Sequence, residues 1–453
     1  MNVKITTNFL GMKTIASKLP TNLGAAAGLR VTTALLAVLV ASTMPVSVGG
    51  GLRAQSSVGP TFSQTGPAAE AYGAAQNYPI PERGRGLAGL PQELLVGLHS
   101  HYDQVRPVRA VPTSDAPSPL KRAPRQITPV YAYDGRIKSI ADYLSSHPAT
   151  GLLIARDDTI LYEHYQYART DRDRFASWSM AKTVLGLLVG IAVSEGAIGS
   201  LNDVASKYVP ELRDTEYGAT PIRALLQMSS GVLFIETYQP GDDVSKLGAA
   251  VFAPDGVGGL EVLKRFNTRV APPGTRFNYS SADSEVLGLV LRRAVGMTLT
   301  EYLSTRIWKK LGAEADAAWD VDSTGQEITF CCMVATLRDW ARLGLMLAND
   351  GAWNGQQIVP RQWILDATTT TSNSYLAPGG QMATIGYGYQ VWISPGERRR
   401  FSLQGIRGQV MVVDPLSRLV LVHTAVRLNA APGPANVELA ALITAVIAQY
   451  GLR

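Results

Sequence analysis

Ser179 and Lys182 stand three residues apart at the head of a run, 184–193, made almost wholly of Val, Leu, Ile, Gly and Ala. In a helix such a pair shares one face, one turn apart. An ammonium beside a hydroxyl can hold it, lower its pKa and pass protons, which makes a nucleophile with its first helper. Ser177 or Ser179 can also cap the first turn, where backbone N–H groups have no intrahelical partner. The positive end of the helix dipole favours negative charge developing there. Ser118 and Lys121 repeat the spacing inside a Pro-rich stretch with no helix to align them, and that match is read as chance. The pair at 179 and 182 opens a nearly uncharged helix, where an ammonium without a partner is costly.

A Ser–Lys pair needs a base and a place for the oxyanion. Gly-x-Ser-x-Gly, the mark of a Ser-His-Asp hydrolase, is absent. The base candidate is Tyr279, which follows the turn residues Pro272, Pro273 and Gly274 and precedes an apolar helical run, 284–295. A tyrosine near an ammonium can shift toward phenolate and accept the serine proton. The plainer reading is one core tyrosine among eighteen.

The elements that must position these groups follow from periodicity and turn residues. A helix is expected over 137–146, then a hairpin, 151–156 and 159–165, around Asp157 and Asp158. The Ser179 helix comes next. Helices are expected at 221–226, 260–266, 284–295, 336–348 and 360–367, strands at 388–393, 409–413 and 419–424, and a closing helix at 437–450. An early hairpin and late strands with helices between them predict an α+β fold. Both ends of the chain would complete one antiparallel sheet flanked by helices, with a mainly helical lobe inserted at about 200–330. The cleft would lie between sheet and lobe.

With 453 residues, 46% hydrophobic and 17% charged, the chain can bury a large core. Its net charge of +6 owes five charges to Lys4, Lys13, Lys18, Arg30 and Arg53, which precede the first acid, Glu70. Setting those five aside leaves +1, so the body offers no case for nucleic acid. The triplet Arg398–Arg400 is read as a solvated turn. The basic start and the uncharged, apolar stretch around 31–52 have the form of a bacterial secretory signal. Residues 1–54 are therefore expected to be a signal peptide or an uncleaved membrane anchor. The location would be periplasmic or secreted, with inner-membrane association if the anchor stays. Residues 55–135, rich in Pro, Gly and Ser, are read as a linker, a tether and wrap rather than a domain. The two cysteines, Cys331 and Cys332, are neighbours. Adjacent cysteines bridge only in a strained ring, so they are expected as small buried residues without a disulfide. Five scattered histidines give no metal-ligand spacing, and neither metal nor cofactor is expected.

Taken together, Ser179-x-x-Lys182, Tyr279-Ser280-Ser281 and Gln404-Gly405-Ile406-Arg407-Gly408-Gln409 resemble the three motifs of the class C β-lactamase and penicillin-recognising serine hydrolases. The stretch Ser177-Trp178-Ser179-Met180-Ala181-Lys182-Thr183, the run Leu226-Gln227-Met228-Ser229-Ser230-Gly231 and the pair Cys331-Cys332 are similar to the 6-aminohexanoate-dimer hydrolase branch. The resemblance covers about 140–450 and implies a β-lactamase/transpeptidase-like fold over 136–453 and an acyl-serine mechanism. By position it implies Ser179 as nucleophile, Lys182 as its proton partner and Tyr279 as general base and later acid. The N–H groups of Ser179 and Ile406 would form the oxyanion hole. Tyr238, Ser281, Gln404 and Gly405 would contact substrate.

Two departures bear on the substrate. β-Lactamases of this fold usually carry Asn two residues after the tyrosine, where this chain has Ser281, and Lys-Thr-Gly where it has Leu403-Gln404-Gly405. Losing the charge-assisted contact to the antibiotic carboxylate removes about 2 kcal/mol of recognition. The favoured expectation is a serine amidase or esterase acting on a small-molecule amide or ester. A β-lactamase or D-alanyl-D-alanine carboxypeptidase is the alternative, and a non-catalytic envelope binding protein the reading from another class. Specificity is expected in the loops 236–246 and 372–385.

Overall fold

Asp157, with φ of +58°, turns the chain between strands Ala149–Arg156 and Thr159–Tyr165, the hairpin expected from the sequence. The first of these then pairs antiparallel with Leu419–Ala425, almost at the other end of the chain. This computed structural model describes residues 59–451 except 88, 372–373, 382–383 and 431–433. The expected signal segment, 1–54, lies outside the described residues.

From the hairpin, the sheet runs through Leu419–Ala425, Gln409–Asp414, Phe401–Gly405, Trp392–Ile393 and Gly386–Tyr387. Alternate side chains feed two layers, as a pleated strand requires. Leu152 and Ile154 face the helix Pro434–Tyr450, packing on Leu439, Leu442, Ile443 and Val446. Leu153 and Ala155 face the main core, which includes Leu337, Trp340 and Ala341 of helix Leu337–Ala348 and most of helix Ala181–Ser194. Helix Leu337–Ala348 sits close on the sheet because of Gly344. A Cβ there would lie 2.6 Å from Val420 and 2.9 Å from the Met411 sulfur.

The sheet is mixed rather than wholly antiparallel. Strands Thr61–Phe62 and Lys121–Arg122 both pair parallel with Thr159–Tyr165, and both come from the stretch read as a linker. Strand Val108–Val111 from the same stretch joins a second sheet with Ala317–Asp320, Met333–Thr336 and Arg174–Ala176. Tyr72, Tyr78, Val96, Leu98, Tyr102 and Val105 are buried. The linker expectation is therefore corrected for 59–135: the aromatic and branched residues spaced among its prolines supply enough apolar area to bind it to the body. The wrap part of that expectation describes what this segment does.

Smaller corrections have local causes. The expected strand 388–393 is two short strands, Gly386–Tyr387 and Trp392–Ile393, with Gln390 at φ of +59° between them. The helix expected from 137 begins at Ile140, because Ser139 and Asp142 form a reciprocal capping box that fixes its start. Helix Asp243–Phe252, not expected, is capped by Asp242. Two of the three arginines expected in a solvated turn are paired: Arg398 donates to Asp414 and Ser417, and Arg399 to Asp350 and Thr368.

Candidate active site

Helix Ala181–Ser194 is buried along most of its length, which puts its polar first turn at the edge of the core rather than in solvent. A single 3-10 turn, Trp178–Met180, leads into it, and neither serine caps it. Ser177 instead donates its hydroxyl to the Trp178 carbonyl at 3.0 Å and accepts the Met333 N–H at 3.1 Å, tying this turn to the second sheet. Ser179 is left facing a cavity.

Lys182 is 1% exposed and its Nζ has three acceptors: the Phe330 carbonyl at 2.8 Å, Ser179 Oγ at 3.0 Å and Ser281 Oγ at 3.2 Å. Burial pulls its pKa down to about 8, with the negative charges of Glu236 and Glu285 working the other way. Desolvation prevails because an ammonium loses most of its hydration there. Near pH 8 a large fraction of Lys182 is a neutral amine, and its lone pair lies within hydrogen-bond reach of the serine oxygen.

Tyr279 lies close enough to Ser179 for the serine to work against the rise in its pKa. Its ring stacks on Trp392 at 5.3 Å and lies edge-on to Tyr387 at 6.3 Å, and Lys182 Nζ sits 4.9 Å from its centroid. Burial, with Glu236 adding to it, pushes its phenol well above the ordinary range. The expected shift toward phenolate is therefore reversed. The ammonium lies over the ring, while a carboxylate lies close enough to oppose ionisation, so the base-forming shift falls on Lys182.

Glu236 was not singled out from the sequence. Its Oε1 accepts the Tyr238 hydroxyl at 2.8 Å and the Ser281 hydroxyl at 3.0 Å, and its Oε2 accepts the Ser281 N–H at 2.7 Å. Tyr238 and Ser281, both expected at the site, are thus held by one carboxylate. The signal available was an acid beside Tyr238 in a run with no other charge, 232–241.

Ser179, Glu236, Tyr238 and Ser281 meet on a cavity of about 770 Å³ also lined by Phe330, Cys331 and Ile406, whereas Lys182 and Tyr279 are not on its wall. Trp178, Leu87, Val244 and Phe252 make much of the remaining wall apolar. The loop 236–246 contributes to that wall, while no described residue of 372–385 does. Gln404 and Gly405 do not line it either: Gln404 turns to Ser402 Oγ at 2.9 Å. Gly405 acts by close approach, since a Cβ there would meet the Ser177 carbonyl at 2.4 Å and Trp178 Cβ at 3.0 Å. Leu403 is 1% exposed and part of the core. Two other clefts, beside Arg223 and Asp366 and beside Arg292 and Glu301, contain no serine–lysine pair.

The cysteine expectation is corrected: Cys331 and Cys332 are bonded to each other. Both are buried, and the Cys331 carbonyl accepts the Trp319 indole N–H at 2.8 Å. The Ser118 match carries no pair. Lys121 is bound to Asp158 at 2.7 Å, and Ser118 Oγ meets only Asn354 among the described hydrogen bonds.

A serine held by a buried amine with a phenol beside it, on a sheet flanked by helices, defines a serine hydrolase of the β-lactamase/transpeptidase-like fold. The Beta-lactamase family model matches residues 137–445, and the chain belongs to that family. It is 28% identical over 338 residues to the 6-aminohexanoate-dimer hydrolase of Paenarthrobacter ureafaciens, covering 73% of this chain and 84% of that protein. A Bacillus anthracis structure provisionally described as a 6-aminohexanoate-dimer hydrolase superposes with a TM-score of 0.73 at 24% identity, covering 82% of this chain and 98% of that one. EstCE1, a hydrolase with promiscuous acyltransferase activity, superposes with a TM-score of 0.54 at 17% identity over 66% of this chain and 93% of its own.

Proposed function

We propose that this protein is an exported serine amidase or esterase that cleaves small linear amides or esters through an acyl-Ser179 intermediate. The observation that carries this reading is one serine oxygen on a largely apolar cavity, hydrogen-bonded to a buried amine and with the Tyr279 phenol beside it. Neutral Lys182 keeps its N–H donors on Phe330 and Ser281 and turns its lone pair to the serine hydroxyl. Taking that proton frees the oxygen to attack the acyl carbon. The N–H groups of Ser179 and Ile406 receive the oxyanion. Tyr279 gives its proton to the departing amine or alcohol and regains one from the Lys182 ammonium. Water then releases the acyl group by the same steps in reverse.

The amide half of the reading is supported by the 28% identity to a 6-aminohexanoate-dimer hydrolase. Antibiotic turnover is disfavoured by Ser281 and by the buried Leu403, neither of which offers a charge to a carboxylate. Export rests on the basic start and apolar run before residue 54. The test is a panel of p-nitrophenyl esters, nitrocefin and linear ω-amino-acid amides on purified protein. Ester or amide turnover above nitrocefin turnover is expected. Faster nitrocefin turnover replaces this reading with a β-lactamase, and no turnover of any member favours a binding protein.

The pH dependence gives a second check. If neutral Lys182 is the base, kcat/KM rises with pH through about 8. Glu236→Gln removes a negative charge that favours the ammonium, so the rising limb should move to lower pH. A limb that stays in place, with activity retained, means Lys182 is not the group that titrates.

A further inference from the structure

Residues 84–105 precede the segment matched by the family model, yet they reach the wall of the Ser179 cavity and the residue before the serine. Leu87 lies on the wall of the Ser179 cavity. His99, 2% exposed, stands on the short helix Leu95–Ser100. Its Nδ1 is 2.8 Å from the Leu95 carbonyl, so that nitrogen carries the proton and Nε2 is left as an acceptor. The Trp178 indole N–H donates to Nε2 at 2.9 Å. Burial and the positive charge of Arg407 push the imidazole pKa down to about 3, which keeps Nε2 an acceptor at any working pH. Tyr102 meets the Trp178 ring edge-on at 6.1 Å, and its own hydroxyl is fixed on Asp320 at 2.7 Å.

Trp178 needs such support. Its φ of +45° is in the left-handed region, uncommon for a bulky side chain, and persists only where the surroundings over-determine it. The peptide that follows Trp178 carries the Ser179 N–H. The end of strand Phe401–Gly405 abuts the same residue, where Gly405 leaves no room for a Cβ. A tilt of the indole therefore moves the serine N–H relative to the Ile406 strand end.

We propose that His99 is a positioning residue for Ser179, which holds the Trp178 indole and thereby sets the oxyanion geometry from a segment outside the matched family core. This rests on the acyl-serine reading above. His99→Phe keeps a ring and removes the acceptor, His99→Gln returns an oxygen acceptor near the Nε2 position, and Trp178→Phe removes the donor. With p-nitrophenyl acetate, His99→Phe is expected to lose about 10- to 100-fold in kcat, with KM changed less than about twofold. His99→Gln should recover most of the loss. Trp178→Phe should match His99→Phe, and the double variant should lose no more than either single one. A folded His99→Phe with parental kcat, or losses that multiply in the double variant, overturns the proposal. Should His99→Phe fail to fold, Trp178→Phe decides: a parental kcat there overturns it, and the same kcat loss supports it. Fluorophosphonate labelling separates the two levels. A parent protein not labelled at Ser179 overturns the acyl-serine reading and this proposal with it, whereas a labelled parent with an unchanged His99→Phe overturns this proposal alone.

Discussion

Ser179→Ala is expected to abolish ester turnover and fluorophosphonate labelling, a loss of about 10⁴–10⁶-fold in kcat if the serine acts with its partners as a unit. The substitution removes the oxygen that Lys182 is hydrogen-bonded to and leaves the helix behind it untouched. Lys182 keeps the Phe330 carbonyl and the Ser281 hydroxyl as partners, so the ammonium is not stranded. Melting temperature should therefore stay near that of the parent. Ser118→Ala is the internal control. Its hydroxyl makes one long contact to Asn354 at the surface, and turnover and labelling should be unaffected. Labelling that persists in Ser179→Ala would place the nucleophile elsewhere and dismantle the site.

Tyr279→Phe should cost about 10²–10⁴ in rate, the usual range for losing a proton-transfer group. The ring contacts with Trp392 and Tyr387 remain, so folding is expected to be unchanged. Because the phenol is pushed up, the mechanism proposed above makes it a proton carrier to the leaving group rather than a standing phenolate. That assignment has its own signature. Esters with a good leaving group need little protonation as they depart, so Tyr279→Phe should harm p-nitrophenyl esters less than alkyl esters or amides. Equal loss on both points to a role before bond cleavage. Retention of most activity on amides removes Tyr279 from the mechanism.

The chemistry was more legible than its tuning. Ser179, Lys182 and Tyr279 could be found because spacing along a helix and a turn before the next helix are properties of local sequence, and the structure brings all three together. The hairpin at 149–165 and the last strands were legible for the same reason, through alternation and turn residues. Glu236 and His99 were not, because each acts through partners far along the chain: Glu236 through Ser281, and His99 through Trp178. The direction of the tyrosine shift was misread because a sequence shows that an ammonium is near but not that a carboxylate is nearer to opposing it. Composition misled over 59–135. Proline and glycine there mark turns between buried aromatic anchors, and only the positions of Tyr72, Tyr78 and Tyr102 in space distinguish that from a tether.

The pairing of Ala149–Arg156 with Leu419–Ala425 has a consequence for how the chain matures. Leu153 finds its neighbour at Val422, on a strand synthesised some 270 residues later. Contacts of that sequence separation carry a loop-closure cost that slows folding. On a ribosome, the serine, lysine and tyrosine all emerge before the strands that close the sheet beneath them exist. A nascent or prematurely terminated chain ending short of Leu419 would lack a central strand, leaving the edge of Ala149–Arg156 unpaired and the face that packs on helix Pro434–Tyr450 uncovered. A chain truncated before Leu419 is therefore expected to show no ester turnover and to be cut faster by protease than the full chain, which limited proteolysis of the two side by side would check.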